Sequence, residues 1–179
     1  DVLLTGASGY FGAHVLRELL AAGRYVVCLA RNEDKLRDAM SAYFGSQILG
    51  LRVIRGDVTA PRFGMTFREY VDLALRTGLV VHCAADVRHY APDNAIEVTN
   101  VSGTRHALDF CMDAEATLCH VSTASIAGRH APSPAVFTER DVYLGQDGME
   151  NAYIASKMHA EALVIEAMER GMPAQIMRV

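Results

Sequence analysis

Short apolar runs alternate with longer amphipathic stretches along the whole chain. Apolar residues at three-to-four spacing, such as Val15, Leu16, Leu19 and Leu20, predict helices, whereas short continuous apolar runs predict buried strands. The six predicted strands are Val2–Thr5, Tyr25–Ala30, Leu51–Arg55, Leu79–Cys83, Thr117–Ser122 and Ala174–Arg178. The predicted helices are Tyr10–Ala22, Glu33–Tyr43, Thr66–Arg76, Asp93–Asp113 and Ala152–Arg170.

This alternation of strand and helix is typical of an α/β fold whose parallel sheet is buried on both faces. We expect a Rossmann-type doubly wound sheet with strand order 3-2-1-4-5-6, in which ligands bind at the carboxyl ends of the strands. The segment Gly128–Asn151 contains glycine and proline and has no clear period. It is therefore predicted to be a surface loop near the ligand site.

The composition is typical of one globular domain, 1–179, because 51% of the residues are apolar and 21% are charged. The formal net charge of −4 gives no basic footprint for nucleic acid or for an anionic membrane. No apolar run reaches the roughly 18 residues of a membrane span, and the first residues lack the basic region of a signal peptide. We expect a cytoplasmic protein. Because predicted strands lie at both ends, we also expect a fragment of a longer chain.

The cysteines and histidines show no metal-binding or redox motif. The four cysteines lie in apolar segments without C-x-x-C spacing, which favours reduced core thiols over disulfides or metal ligands: Cys28, Cys83, Cys111 and Cys119. His82 and His120 lie within predicted strands, so we expect structural imidazoles and no metal site.

A glycine-rich segment, Gly6-Ala7-Ser8-Gly9-Tyr10-Phe11-Gly12, joins the first predicted strand to the first predicted helix. Gly6 allows a tight turn, Gly9 allows close approach of a pyrophosphate, and Gly12 allows the helix to pack against the strand. The helix N-terminus adds N–H groups and the positive end of a dipole. The segment is interpreted as a dinucleotide-binding loop whose cofactor-binding residues are Gly6, Ser8, Gly9, Tyr10, Phe11 and Gly12. The missing Gly-Lys-Ser/Thr ending argues against a P-loop nucleoside triphosphatase.

Arg31 follows the second predicted strand, where NAD enzymes carry an acidic residue that binds the adenosine ribose. A guanidinium at this position can bind a 2′-phosphate bidentately, so we predict NADP(H) as the cofactor. In the alternative, Arg31 is solvated and Glu33 or Asp34 binds an NAD ribose. Those two acidic residues more naturally occupy the first turn of the next helix, after Asn32 as its cap.

Two further strand ends point at the same crevice. Asp57 and Val58 follow the third strand, where the carboxylate can accept a hydrogen bond from the adenine amine. Cys83, Ala84 and Ala85 end the fourth strand, and their small side chains let the backbone approach the ribose and phosphate. We expect all five residues to bind the cofactor.

Tyr153 and Lys157 begin the last predicted helix, and their i, i+4 spacing places a phenol and an ammonium on one face. An ammonium and a cationic nicotinamide favour the phenolate, so we expect the pKa of Tyr153 to be lowered and the pair to serve acid–base chemistry. Thr123, after the fifth strand, is predicted to donate to a substrate carbonyl that Tyr153 protonates. Ser122 is the alternative, because alternation along a strand lets only one hydroxyl face the cleft.

These motifs occur in the order of the extended short-chain dehydrogenases/reductases, a family that the sequence resembles over nearly its whole length. The resemblance implies that Asn100, in the Asn100–Thr104 run, supports the architecture of the active site near the cofactor. It also implies that the catalytic residues are Thr123, Tyr153 and Lys157, of which Tyr153 and Lys157 also contact the cofactor.

Within that family, the segment Gly56–Gly64 resembles the G-D-x-x-x-P-x-x-G segment of thioester reductases, and Cys28–Arg31 and Val121–Thr123 are similar to the same branch. The branch comprises terminal reductase domains of nonribosomal peptide and polyketide synthetases, carboxylic acid reductases and fatty acyl reductases. The resemblance implies NADPH-dependent reduction of an acyl or peptidyl thioester, held on a carrier protein's phosphopantetheine arm, to an aldehyde or further to an alcohol. The family's smaller C-terminal substrate domain would then lie beyond Val179.

Two other functions fit the same residues. An extended reductase, epimerase or dehydratase that acts on a nucleotide sugar or small carbonyl shares every catalytic residue, and only the segment Gly56–Gly64 and Arg31 argue against it. A non-catalytic NADP-sensing protein would keep the glycine-rich loop, and the intact set of Thr123, Tyr153 and Lys157 argues against it.

Overall fold

The chain folds around a single sheet of six parallel strands in the order β3-β2-β1-β4-β5-β6, which confirms the predicted doubly wound arrangement. The computed structural model describes residues 1–45, 48–91, 93–128, 137–138, 141–143, 145–146 and 151–179. The strands are β1 Val2–Thr5, β2 Val26–Ala30, β3 Leu51–Arg55, β4 Leu79–His82, β5 Thr117–Ser122 and β6 Ala174–Arg178. Two predicted strands are thus one residue too long, at Tyr25 and Cys83.

Helices cover both faces of the sheet. They are α1 Tyr10–Ala21, α2 Glu33–Phe44, α3 Phe67–Ala74, α4 Ala95–Glu97, α5 Gly103–Ala114 and α6 Ala152–Glu169. Short 3₁₀ turns lie at Pro61–Gly64 and Ala124–Ala127. None of the helices in the described ranges is long and apolar enough to cross a bilayer.

The predicted helix over Asp93–Asp113 is helical in the structure over 95–114, but a π turn at Val98–Ser102 interrupts the regular α-helical pitch between α4 and α5. Asn100 is buried in this turn, and its backbone carbonyl accepts a hydrogen bond from the hydroxyl of Thr104 at 2.7 Å. Single π turns inside helices are frequent at functional sites.

Alternate residues of the central strands enter two separate apolar cores. Leu3 and Val27 pack with Phe110 of α5 and Val164 of α6 on one face. The other face holds a core with residues of α1 and α2, whose buried members include Val2, Leu4, Leu16, Val26, Leu36 and Met40. Burial of both faces explains why the strands are continuous apolar runs. The four cysteines are free, and burial raises the pKa of Cys28, Cys83 and Cys111 to about 12.

Most of the predicted surface loop Gly128–Asn151 lies outside the described residues, at 129–136, 139–140, 144 and 147–150. Within its described part, Gln146 is buried and its amide donates to the carbonyl of Ile126 at 3.0 Å. Arg178 of β6 donates to the carbonyls of Thr138 and Asp141 at 2.9 and 2.6 Å. These contacts attach the described part of the segment to the domain.

Candidate active site

The glycine-rich loop turns between β1 and α1 at the carboxyl edge of the sheet. Gly6 has a φ of +74°, and a Cβ there would lie 2.5 Å from the backbone N of Ala84. A Cβ at Gly12 would lie 2.2 Å from the carbonyl oxygen of Gly6, so both positions require glycine. At Gly9 the nearest protein atom would be 3.4 Å away. The chain itself therefore does not demand glycine at Gly9, which agrees with a role in close approach of a ligand.

The N-terminus of α1 is free to bind an anion. Gly9 is the N-cap, and no side chain in the described part of the chain caps the first turn. Tyr10 is 84% exposed and Phe11 is 40% exposed, and Ser8 is also exposed. Backbone N–H groups at such a terminus, with the helix dipole behind them, bind phosphate. The loop therefore fits the pyrophosphate of a dinucleotide.

Arg31 is exposed directly after β2 and close to the loop that follows β4. The hydrogen bonds from Arg88, together with the charge of Arg31, hold the pKa of Asp86 below its ordinary value. Arg88 Nε lies 2.9 Å from Asp86 Oδ1. Sequence analysis missed Arg88, because no motif marks it. Arg88 is thus engaged by Asp86, whereas the exposed guanidinium of Arg31 fits a phosphate group.

The acidic residues after Arg31 lie where a helix start would place them. The side chain of Asn32 caps α2 by accepting a hydrogen bond from the N–H of Lys35 at 2.9 Å. Glu33 and Asp34 occupy the first turn, and Glu33 is paired with Arg37. These contacts favour the interpretation in which Arg31, rather than Glu33, faces the cofactor.

The segment Gly56–Gly64 folds into a compact loop that positions Asp57. The N–H of Asp57 donates to the carbonyl of Phe63 at 2.9 Å, and Phe63 is fully buried. One oxygen of Asp57 accepts hydrogen bonds from the backbone and hydroxyl of Thr59 at 2.9 and 2.8 Å. Val58 packs beside Gly103, where a Cβ would lie 3.2 Å from its side chain. Asp57 and Val58 thus lie at the end of β3 as predicted, with the second oxygen of Asp57 available for a ligand.

Asn100 links the loop after β4 to α6. Its Oδ1 accepts from the N–H of Asp86 at 2.7 Å, and its Nδ2 donates to the carbonyl of Asp86 and to Ser156 Oγ, both at 2.9 Å. Cys83, Ala84 and Ala85 precede this link and are half-buried at the sheet edge. The N–H of Ala84 donates to Thr5 Oγ1 at 3.2 Å. The predicted supporting position of Asn100 therefore has a geometric basis, namely three hydrogen bonds made from the π turn.

Thr123 and Tyr153 come together from distant parts of the chain. The hydroxyl of Thr123 acts on the phenol of Tyr153 in the direction that lowers its pKa, and the side chain of Asn151 caps α6 by accepting from the N–H of Tyr153 at 3.0 Å. Ser122 Oγ is buried and has no hydrogen-bond partner among the described residues. The structure therefore favours Thr123 over Ser122 as the hydroxyl that faces Tyr153.

Lys157 is 2% exposed and lies at the same strand end. Its Nζ donates to the carbonyl of Val121 at 2.7 Å and lies 3.3 Å from His120 Nε2. Burial lowers the pKa of Lys157 to about 8, while Glu161 and Cys83 act in the opposite direction.

The expectation that the ammonium lowers the pKa of Tyr153 is wrong for this structure. Burial raises the pKa of Tyr153, and only the hydroxyl of Thr123 offsets part of that rise. The physical reason is that Lys157 directs its Nζ to the backbone of β5 and to His120 instead of to the phenol. Tyr153 is therefore a protonated phenol at neutral pH.

His89 is a second residue that sequence analysis missed. Its ring centroid lies 6.4 Å from that of Tyr153, and its Nδ1 lies 2.8 Å from Asn151 Nδ2. It stands in an irregular loop, where no pattern distinguishes one histidine from another. The loop after β4 thus contributes His89 to the surroundings of the phenol.

Comparison with known proteins identifies the family. The model of an NAD-binding family described as "Male sterility protein" matches residues 4–179. Glycine betaine reductase ATRR of Emericella nidulans is 30% identical over 197 residues, a match that covers 99% of this chain and 15% of that protein. The chain therefore spans only a small part of this relative's length.

Two solved structures extend the comparison. A thiolation-reductase di-domain from an archaeal non-ribosomal peptide synthetase is 29% identical with a TM-score of 0.82, over 99% of this chain and 40% of that one. MoeE5 in complex with UDP-glucose and NAD is 25% identical with a TM-score of 0.70, over 98% of this chain and 52% of that one. The resemblance to synthetase reductase domains is confirmed, and a nicotinamide dinucleotide is the cofactor class that the glycine-rich loop fits. Because the family model covers almost the entire sequence, this chain belongs to the NAD-binding family described as male sterility protein.

Proposed function

We propose that the protein reduces an acyl or peptidyl thioester with NADPH and releases an aldehyde and a free thiol. The observation that carries this proposal is that the hydroxyl of Thr123 lies close enough to the phenol of Tyr153 to act on its pKa, one helical turn from the buried Lys157. This group lies at the same sheet edge as the glycine-rich loop. In this proposal, residues 1–179 form the cofactor-binding part of a larger reductase.

Thr123 and Tyr153 have different roles at the carbonyl group of the thioester. NADPH, when bound, supplies a hydride for the thioester carbonyl carbon. Thr123 donates a hydrogen bond to the carbonyl oxygen, and Tyr153 gives its phenolic proton to that oxygen as negative charge develops. A phenol whose pKa is raised by burial is fully protonated at neutral pH and therefore suits this donor role. A proton from solvent then restores Tyr153.

The product of this step is a hemithioacetal, which no longer has a carbonyl group. Its carbon–sulfur bond breaks as the hydroxyl proton is lost, so that aldehyde and thiol are formed. The overall reaction consumes one thioester, one NADPH and one proton. Lys157 holds a positive charge within the site below its pKa of about 8. That charge favours the developing oxyanion.

The preference for NADPH over NADH is supported by Arg31, which is exposed directly after β2, where the 2′-phosphate of a dinucleotide on this loop would be. Glu33 is engaged by Arg37. The cofactor is thus proposed to be NADP(H).

A carrier protein is the proposed source of the thioester. The archaeal structure that this chain resembles joins a thiolation unit to a reductase in one polypeptide. Segment Gly56–Gly64, which carries the resemblance to thioester reductases, forms the compact loop at the end of β3. A phosphopantetheine arm would present the acyl group to Thr123 and Tyr153.

The test is an assay of the full-length protein with an acyl-pantetheine thioester. We expect NADPH to be oxidised with one aldehyde and one free thiol formed per NADPH. The same thioester with NADH should react at least tenfold more slowly at limiting cofactor. Release of free acid without NADPH oxidation would instead indicate a hydrolase, and would refute the proposal.

The second candidate is an enzyme that acts on a nucleotide sugar, which the similarity to MoeE5 favours. Such an enzyme uses the same hydroxyl, phenol and ammonium. Incubation of the full-length protein with UDP-glucose and catalytic NAD distinguishes the two functions. A changed sugar product in that assay, with no reaction of the thioester, would replace the first proposal by the second.

A further inference from the structure

A row of buried polar side chains crosses the sheet beneath Lys157. The parallel register places Thr5 of β1 beside His82 of β4, and His82 beside His120 of β5. Side chains at matched positions of neighbouring parallel strands point to the same face. That face is the one covered by α6, which carries Lys157. The row therefore lies directly behind the proposed catalytic amine.

The distances connect these groups in sequence. Thr5 Oγ1 lies 2.9 Å from His82 Nδ1, the two imidazoles stack with centroids 5.7 Å apart and planes at 24°, and His120 Nε2 lies 3.3 Å from Lys157 Nζ. No member of the row is more than 2% exposed. Water therefore cannot replace these contacts without a rearrangement of the core.

The chemistry of the groups sets the direction of the last hydrogen bond. An ammonium has only donors, so His120 Nε2 must accept, and the imidazole proton is on Nδ1. Burial lowers the pKa of His82 to about 3 and holds that of His120 well below its ordinary value, so both rings are neutral at physiological pH. His120 is thus a constant acceptor for the amine.

We propose that His120 is the positioning residue for Lys157: its Nε2 and the carbonyl of Val121 accept two of the three ammonium N–H donors and leave the third for a bound ligand. The other titratable groups that act on Lys157 are Glu161 on its own helix and Cys83 at the end of β4. His82 supports the ring of His120 by stacking and does not reach Lys157 within hydrogen-bond distance. The importance of this contact for turnover depends on the proposed function, but the contact itself does not.

The chain contains only two lysines, Lys35 and Lys157, so a lysine-selective ¹³C label makes the amine directly observable. Lys35 is exposed and serves as the internal reference, and Lys157→Arg assigns the second signal. The pKa of Lys157 is then measured by NMR titration of the 179-residue chain in three variants. In His120→Gln an amide atom replaces Nε2. In His120→Asn the side chain at position 120 is too short to reach Nζ, and only the carbonyl of Val121 still accepts from it. In His82→Asn the neighbouring imidazole is removed as a matched control.

We expect His120→Asn to lower the pKa of Lys157 by roughly one, because the charged form loses a hydrogen bond. His120→Gln and His82→Asn should change the pKa of Lys157 by no more than about a third of the shift expected for His120→Asn. The proposal is overturned if His120→Asn has no effect, or if His82→Asn lowers the pKa equally. All three variants keep a polar side chain at the substituted position. Dispersion of the amide signals in the spectrum of each variant confirms that folded proteins are compared.

Activity separates this inference from the proposed function. In the full-length protein, His120→Asn should shift the alkaline limb of kcat to lower pH by the change measured for Lys157, and His120→Gln should restore it. A shifted lysine with an unshifted kcat profile would refute the role of Lys157 in turnover while the hydrogen bond stands. A shifted kcat profile with an unshifted lysine would refute the positioning role of His120.

Discussion

The two halves of the sheet use different means to build one site. In the half formed by β1, β2 and β3, the proposed ligand-binding surface consists of glycines, a helix terminus and exposed side chains such as Tyr10 and Arg31. In the half formed by β4, β5 and β6, buried polar side chains make it, and their partners lie far away in sequence. Asn100 and Ser156 are 56 residues apart, and His120 and Lys157 are 37 apart.

This difference reflects the different environments that phosphate binding and proton transfer require. A phosphate is bound by backbone N–H groups, which any short turn with the correct glycines can present. A proton donor and an amine need a dry environment that shifts their pKa, and a dry environment requires several elements packed together. Apart from Gly6 and Gly12, the first half should therefore tolerate side-chain changes that the second half does not.

The largest effect is expected for Tyr153→Phe in the full-length protein, because it removes the proton donor without changing the ring. Turnover of an acyl-pantetheine thioester should fall about 10²–10⁴-fold, while NADPH binding is retained. The measurement is NADPH oxidation, with binding followed by fluorescence. Tyr70→Phe, which loses a hydrogen bond to Asp113 at 2.8 Å outside the site, is the matched control. Equal loss in both variants would mean that the phenol of Tyr153 has no special role.

Glu161→Gln tests the buried half through stability. Glu161 is fully buried against Arg178, whose Nη2 lies 2.8 Å from its carboxylate, and the neutral amide leaves that guanidinium without its counter-charge. We expect a loss of about 3–5 kcal/mol in the free energy of unfolding, measured by urea titration. Glu166→Gln breaks an exposed pair with Arg170 on the same helix and should change little. A small effect of Glu161→Gln would show that the pair is better hydrated than its burial indicates.

Acid should weaken the buried half before it weakens the glycine-rich loop. The pKa of His82 is about 3 in the fold and about 6.5 when exposed, so the unfolded chain binds the proton first as the pH falls. Its contribution to stability is complete above about pH 6.5 and declines by about 1.4 kcal/mol per pH unit below it. Urea titrations at pH 7 and pH 5 measure this slope. His82→Asn should reduce the slope, and an unchanged slope would contradict the assignment of a buried neutral imidazole.

Arg31→Ala tests the exposed half. The loss of a charge-assisted contact to the 2′-phosphate should weaken NADPH binding about tenfold and leave NADH binding nearly unchanged. Isothermal titration of both cofactors measures the two affinities. Arg17→Ala on the outer face of α1, where Arg17 pairs with Glu18, is the control. If NADPH and NADH lose affinity equally, Arg31 does not recognise the phosphate.

Ser122→Ala should have the smallest effect. Its hydroxyl is buried and makes no hydrogen bond to any described residue, so its removal costs no partner. We expect stability within about 0.5 kcal/mol of the wild type and unchanged turnover. A large loss of turnover, measured beside Thr123→Val, would assign to Ser122 the catalytic role proposed for Thr123.

Local patterns made most of the fold predictable. The six strands and their order follow from apolar runs separated by amphipathic helices, and the glycine-rich loop follows from glycines three residues apart. These features depend on the chemistry of neighbouring residues, which a single sequence displays. The choice of Thr123 over Ser122 did not follow from such a pattern, because the alternation of side chains left both hydroxyls open and only the family resemblance indicated Thr123.

The remaining features depend on register between distant elements. The hydrogen bond of Lys157 to His120, the pair of Arg178 with Glu161 and the bonds of Asn100 to Asp86 all require knowing which residues meet after folding. The same reason explains the wrong expectation for the pKa of Tyr153. Helical spacing puts Lys157 on the same face of α6 as Tyr153. The hydrogen-bond partners of its amine on β5 nevertheless determine the position of the charge, and helical spacing does not reveal them.

The π turn has a consequence for protein engineering. A regular α-helix rotates by about 100° per residue. The extra residue accommodated at Val98–Ser102 therefore changes the rotation of the residues before the turn relative to those of α5. Deleting one residue there would give a straighter and more regular helix. It would also rotate Asn100 away from Asp86 and Ser156, and so detach the loop after β4 from α6. The π turn thus sets the rotation of Asn100 relative to Asp86 and Ser156. A design that replaced it with a regular α-helix would lose the hydrogen bonds that join these residues.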